Sequence, residues 1–412
     1  MKTIMKLVLF TLVILQLPLT TLTEDDFKIN IHGYLSQGFL ISNRNNFVLN
    51  SKKGTFHFNE LGLNFTTQLT DRIHIGMQFA ARDLGDKGND KVIICWAFAD
   101  YNWRDWLGIR IGKMKLPAGL YNKTRDIDML RTFILLPQSV YPEIFRDAVV
   151  SMKGIGLYGV VSPGTIGNIS YQTSIGTTEI DVEGSTVDLF ESLADVDVEK
   201  LNLGRLFIGC LFWETPLKGL RAGYTILNLN LVCSGTLTTD VVIPMPFPPY
   251  DKITLAWKGD RFTAKCPNYQ FNILSIEYSW NNLVLAAEYL KMHQRINLNV
   301  IDRYKDNMDI HTKSYYLSGT YRLSELFEFG INYSSYTSDW DEQLNLPPYF
   351  HYQKDLCAAV RFDLNSHWTC KLEGHLIKGA ALCLPRNNLN DAGVPIFARR
   401  WSLFGAKVTY TF

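Results

Sequence analysis

After residues 7–19 the chain has no further apolar run. About 18 uncharged apolar residues in succession are needed to cross a bilayer as a helix, so a bundle of membrane helices is excluded. Charge of one sign is also missing. The 41 Lys plus Arg against 40 Asp plus Glu leave a net charge of +1 over 412 residues, and no global field points to nucleic acid as a partner. The seven cysteines are odd in number and form no C-x-x-C pair, which argues against a zinc site and a complete disulfide framework. Most of them read as small apolar residues on strands. No G-x-S-x-G, H-E-x-x-H or phosphate-loop pattern occurs, and no cofactor or metal ion is expected.

What is present begins with a secretory leader. Lys2 and Lys6 precede the apolar run 7–19, which is too short to span a bilayer. Thr21 and Thr23 are the best small pair for cleavage, so the leader is taken as 1–23 and the mature domain as 24–412. From Phe27 onward the main signal is period-two alternation, in segments of about 9 to 15 residues, the length of a tilted membrane strand. Ile73, Ile75, Met77, Phe79 and Ala81 share one face, while His74, Gly76, Gln78, Ala80 and Arg82 share the other. The run from Phe327 to Ser334 and the run from Leu356 to Leu364 repeat the pattern.

A soluble sandwich would alternate too, and the connections separate the two cases. Short ones fall at 69–72, 103–106, 163–168, 215–219, 280–282, 323–325 and 365–367. Between them lie longer, polar or Pro-rich segments at 43–53, 85–91, 116–146, 177–202, 231–267, 295–311, 338–350 and 381–398. Seven short and eight long connections in strict alternation predict an all-β, antiparallel transmembrane β-barrel of about sixteen strands, with long extracellular loops and short periplasmic turns. A further barrel hairpin within 253–264 would raise the count to eighteen. Sixteen strands enclose an aqueous channel, and an even count puts both ends on the periplasmic side. The last strand alternates to a C-terminal aromatic, Phe412, of the kind that outer-membrane barrels carry, which points to the outer membrane of a Gram-negative bacterium. Trp103, Trp106, Tyr158, Trp213, Trp280, Trp340 and Trp401 lie near predicted strand ends, where interfacial girdles want amphipathic rings.

The third long segment carries Phe133-Ile134-Leu135-Leu136, a run that solvated loops seldom hold. Inside a wide barrel the surface available to bury it is the inner wall, so loop three is predicted to fold into the lumen and narrow it. The segment GKMKLPAGL, residues 112–120, leading into this loop, and the opening HGYLSQGFLISNRNNF, residues 32–47, resemble the phosphate-selective porin O/P family and related trimeric porins. The resemblance implies a homotrimer of sixteen-stranded barrels in the lipid bilayer, in contact with outer-leaflet lipid, each passing small hydrophilic solutes by diffusion.

Selectivity in such pores comes from charge near the constriction. The candidate constriction residues are Lys123, Arg125, Asp126, Asp128, Arg131 and Arg146. On the lumen wall, parity selects His74, Arg82, Arg110, Arg221, Arg361, Lys371 and Glu373, with Glu288, Glu328 and Asp363 also inward. This mixed wall does not establish phosphate, while the basic excess in loop three favours anions. Lys113 and Lys115 share parity with Ile109 and Ile111, so either a bulge at Gly112 resets the register or they sit above the membrane. Two rival functions stand beside a porin: an adhesin or interaction protein using its long loops, and a barrel enzyme, for which His57, His74 and His375 are the histidines on strands.

Overall fold

The structure is a computed structural model that describes residues 28–48, 50–84, 90–178, 180, 184–244, 252–301, 303–339, 347–391, 393 and 395–412. The expected leader 1–23 and cleavage site lie outside the described residues, as do Trp340 and most of the Pro cluster 244–249.

Eighteen strands form: β1 (Asn30–Ser42), β2 (Asn59–Thr70), β3 (Ile73–Asp83), β4 (Ile93–Arg104), β5 (Leu107–Lys115), β6 (Ser151–Val161), β7 (Asn168–Thr177), β8 (Val196–Glu214) and β9 (Leu220–Leu237); β10 (Val241–Pro244), β11 (Lys252–Ala256), β12 (Arg261–Trp280), β13 (Leu283–Val300), β14 (Tyr304–Arg322), β15 (Phe327–Ser338), β16 (Tyr352–Asp363), β17 (Trp368–Gly379) and β18 (Arg400–Thr411). Sixteen of them close an antiparallel barrel, and β9 pairs directly with β12. The remaining two, β10 and β11, pair only with each other. Residues 253–264 therefore add no strands to the barrel beyond β12, and sixteen is the count.

The barrel closes where β1 meets β18, in register from Tyr34↔Thr411 to Ser42↔Leu403. Beyond the ladder, the Phe412 amide donates to the Gly33 carbonyl at 3.1 Å and the Gly33 amide to the Phe412 carbonyl at 3.0 Å. The C-terminal aromatic thus sits on the seam.

Alternation sets the two faces. Outward residues such as Leu317, Ile331, Leu356, Leu376, Phe404 and Val408 are large, apolar and exposed. Inward residues such as Gln78, Thr225, Ser275, Thr312, Lys371 and Thr409 are polar and buried. This inverts a soluble protein and suits hydrocarbon outside with a polar interior. Trp103, Trp106, Trp213 and Trp280 are exposed near the short turns, whereas Trp401 points inward and is buried among loop residues. Tyr158 also departs from the girdle: its hydroxyl donates to Asp100, at 2.9 Å, on the lumen face.

At one short turn Asn281 takes φ +50°, a left-handed conformation that asparagine tolerates better than most residues. The sixth long connection differs from the expected 295–311. There β13 and β14 run on as a ladder from Leu283↔Tyr321 to Val300↔Tyr304, so the strands take up nearly all of the expected connection. Ile296, Leu298 and Val300 continue the alternation, and no Gly or Pro interrupts it. At Gly112 the pairing passes through without a register shift, so no bulge resets it, yet Lys115 reaches loop three, donating to the Lys123 carbonyl at 3.0 Å, and Lys113 borders the cavity beside that loop.

Candidate channel interior and loop three

Loop three, residues 116–150, begins as a tied neck. The Leu116 amide donates to the Val150 carbonyl at 3.0 Å, and the Asn122 side-chain amide donates to the carbonyls of Leu116 at 3.0 Å and Val149 at 2.8 Å. Leu116 itself packs with Met114, Met152, Leu206 and Ile208 on the inner wall. The chain then crosses the lumen. Gly119, at φ +66°, donates to Thr225 Oγ1 at 3.3 Å, and a Cβ there would run into Tyr141 and the Glu288 carboxylate. The next amide, of Leu120, donates to Glu288 Oε1 at 2.9 Å. Glu288 also accepts from Tyr316 at 2.9 Å, from Ser275 at 2.5 Å and from the Tyr141 hydroxyl.

On the opposite wall the anchor is Asp128. Its Oδ2 lies 3.0 Å from Lys371 Nζ and accepts from Thr409 at 2.8 Å, while Oδ1 lies 3.5 Å from Lys407 Nζ. Burial disfavours the charged carboxylate, yet Lys371, Lys407 and Arg131 together hold Asp128 well below the usual carboxylate range. Arg361 donates to the Met129 carbonyl at 2.6 Å. Glu373 receives the amides of Ile134 at 2.7 Å and Leu135 at 3.1 Å. Behind it, His375 is held between Asp355 at 2.9 Å and Glu373 at 2.8 Å. Cys357, Glu373 and His375 bring one ligand atom each within 4.8 Å of one another, the set among the described residues that could take a metal ion. Here both histidine nitrogens face carboxylates, and the cluster acts as a clamp on loop three.

The apolar run is buried as its sequence demands. Phe133, Ile134, Leu135 and Leu136 are each at most 5% exposed. Ile134 and Leu135 join Leu40, Ile377, Trp401 and Leu403 of the wall with Phe47, Phe350 and Phe397 from loops one, seven and eight. Leu136, Val140 and Tyr141 pack on Ile273, Leu290 and Tyr316 across the lumen.

The loop charges fall elsewhere than expected. Arg125 is 1% exposed. It donates to the carbonyls of Tyr141 at 2.8 Å and Pro142 at 2.7 Å and lies 3.1 Å from Glu143. Arg146 spans Glu60 at 2.6 Å and Glu143 at 3.2 Å. Burial pushes the Glu143 carboxyl up, but Arg125 and Arg146 outweigh it and bring it down to about 2. Arg131 donates to loop-three carbonyls and lies 3.7 Å from Asp128. Lys123 donates to Gln172 at 3.1 Å, and Asp126 pairs with Lys115. Of the candidate constriction residues, Arg125, Asp126, Asp128 and Arg146 are thus buried in pairs within the loop or with the wall, and do not present their charges to open water. A charge inside a narrow loop is cheaper to pair than to leave half-solvated.

The wall residues divide by height. Lys371, Glu373 and Arg361 are covered by loop three. Arg221 pairs with Glu277 at 2.9 Å, and Tyr121 of the loop donates to the same carboxylate. Arg110 lies 3.2 Å from Asp100, with its guanidinium 4.2 Å from the Phe98 ring centroid, and His74 flanks Phe98. Arg82 borders a cavity of about 780 Å³ between loop three and the wall of β1–β6. Sequence reasoning missed Glu60, Asp355 and Lys407 as partners. Parity alone selects all three, but only contact with the loop singles them out.

A closed sixteen-stranded barrel with apolar outer wall, ionised inner wall and a third loop braced across the lumen defines the outer-membrane porin type of barrel. Solved structures agree in fold. The chain is similar to OmpT, an outer-membrane protein of Vibrio cholerae (TM-score 0.56, 10% identity, 95% of this chain and 99% of that one). It is equally similar to the outer-membrane channel DcaP of Acinetobacter baumannii (TM-score 0.56, 10% identity, 95% and 99%). The anion-selective porin of Comamonas acidovorans follows (TM-score 0.53, 12% identity, 94% and 100%), and the Vibrio cholerae OmpT has also been solved in a trimer form. No family model matches the chain, and no curated protein matches it in sequence.

Proposed function

We propose that this protein is a non-enzymatic outer-membrane porin, exported by its leader 1–23, that passes small hydrophilic solutes by diffusion as a homotrimer. The observation that carries the reading is loop three, braced from Glu288 on one wall to Asp128 and Glu373 on the other, which sets the bore without any moving part. The lean to anions is slight. The cavity beside loop three is bordered by six Lys or Arg and five Asp or Glu side chains, so the basic excess there is one charge. Purified protein in a planar bilayer should give discrete conductance steps, and folded protein without them would overturn the porin reading. A reversal potential of cation-preferring sign under a salt gradient would remove the anion preference alone.

One observation favours the interaction reading as a second role. Strands β8, β9, β12, β13 and β14 are 18 to 20 residues long. A membrane strand needs about 9 to 11. Their far ends carry a separate apolar cluster including Val187, Val198, Leu237, Phe262 and Val300. This ordered outgrowth is a surface that a plain pore does not require.

A further inference from the structure

The cluster that clamps loop three on β16 and β17 has the donor set of a metal site. Register places Cys357 directly opposite His375, with Asp355 two residues away on the long-loop side and Glu373 two residues away on the short-turn side. Successive side chains on a strand point to opposite faces, so all four share the lumen wall. Each is at most 5% exposed. Cys357, Glu373 and His375 each bring a ligand atom within 4.8 Å of the other two. Zinc bonds of about 2.0–2.3 Å put the donors of a tetrahedral site roughly 3.3–3.8 Å apart. The side-chain tips therefore need to close by little more than about 1 Å.

Two further features fit a metal. His375 Nδ1 lies 2.9 Å from Asp355, and its Nε2 lies 2.8 Å from Glu373 Oε1. A histidine that ligates zinc usually gives its other ring N–H to a carboxylate, which fixes the tautomer and the ring, and Asp355 already stands in that place. The second feature is charge. Ionised carboxylates only accept, so a ring that faces one through each nitrogen carries two N–H groups and is an imidazolium. With the thiol neutral, the four side chains hold one positive and two negative charges. A divalent ion with thiolate, neutral imidazole and both carboxylates holds two positive and three negative charges, so the buried cluster keeps the same net charge. We propose that Cys357 Sγ, Glu373 and His375 Nε2 bind a thiophilic divalent cation of the zinc class, with Asp355 orienting the imidazole. The ion enters as two protons leave to water, one from the Cys357 thiol and one from His375 Nε2. Glu373 also receives the amides of Ile134 at 2.7 Å and Leu135 at 3.1 Å, so the bound ion fastens loop three to the wall. Phe133 of the loop packs on Cys357 and roofs the site, and the ion therefore loads as the barrel folds or when the loop lifts.

The test refolds the full chain into detergent after metal has been stripped from it, in the presence of Zn²⁺, Co²⁺ or Mg²⁺. Zinc should be retained through gel filtration at one ion per chain, with two protons released per ion in weakly buffered solution. Cobalt should give the near-ultraviolet charge-transfer absorption of a thiolate ligand. Zinc, and not magnesium, should slow tryptic cleavage within 123–131. Asp355→Asn keeps the three ligands and should weaken zinc binding tenfold to a hundredfold, the usual effect of losing a group that orients a ligand. Cys357→Ala should weaken it further and abolish the cobalt band. A control with Cys383→Ala, whose thiol is buried in a separate apolar cluster, should bind as wild type does. No zinc retained by folded wild type, cobalt bound without the thiolate band, equal zinc binding by Cys357→Ala, or equal protection by magnesium would overturn the proposal. Should Cys357→Ala not fold, the wild-type cobalt spectrum and proton count decide alongside Asp355→Asn, and zinc binding unchanged by that variant would be equally fatal.

Discussion

Asp128→Asn is the change that most directly tests whether loop three is held by charge. Lys371 and Lys407 are both fully buried, and Asp128 is the carboxylate within ion-pair distance of Lys371 among the described residues, at 3.0 Å. Lys407 keeps Glu60 at 2.6 Å, so the loss falls chiefly on Lys371. Removing one partner of a buried pair costs about 3–5 kcal/mol, since the other charge is left desolvated and unmatched. The barrel ladder does not depend on Asp128, so the cost appears as loss of loop-three seating. At about 1.4 kcal/mol per factor of ten, the unseated population rises by roughly two to three and a half orders of magnitude. The variant should show larger, noisier conductance steps and faster tryptic cleavage within 123–131, with the barrel still resisting unfolding. Pairing it with Lys371→Met should recover most of the loss, because the stranded ammonium is then gone. Wild-type conductance and protease resistance in Asp128→Asn, or a double variant as damaged as the single, would refute the reasoning.

Arg125→Met should loosen loop three by about 2–3 kcal/mol through its lost carbonyl and Glu143 contacts, yet leave the sign of the reversal potential unchanged, since Arg125 faces no water; a reversed sign would show that it lines the bore. The acid limit follows from Glu143, lowered from 4.5 to about 2. Its contribution is fully present above pH 4.5 and lost as the pH falls through about 2, so protease sensitivity of loop three should rise between those values; a rise centred at neutral pH would contradict it. Cys357 and Cys383 are buried and free, and a maleimide should label them only after unfolding, as mass spectrometry of native and denatured protein would show.

The barrel was legible because its two solvents leave a period-two signature. Ile73 to Arg82 reads the same way in sequence and in structure, and so do the short turns. The burial of Phe133 to Leu136 was legible for the same reason: apolar groups in a polar loop must find a wall. Two things were not. Residues 295–311 are polar on one face, and polarity was taken for a loop, although Ile296, Leu298 and Val300 alternate in a strand that has outgrown the bilayer. The wall partners of Asp128 and Arg146 were illegible because they lie on strands up to about 280 positions away, brought near only when the barrel closes, and Arg125 is paired within loop three itself, by a fold of the loop that no spacing announces.

That failure has a physical root that bears on selectivity. A wall that must hold water cannot also offer loop three a broad greasy seat, so the loop is fixed by a small apolar cluster and by charges sunk into the wall. Each pair so used is removed from what a passing ion feels: Asp128 cancels Lys371, Glu143 cancels Arg125, and Glu60 is shared by Arg146 and Lys407. The field in the bore is the residue of this pairing and not the sum of the loop's charges. A count of four basic against three acidic groups over residues 116–146 therefore overstates any pull on anions, Asp147 following at once, and in the proposed channel the groups left on the cavity, Arg82 among them, would set the preference.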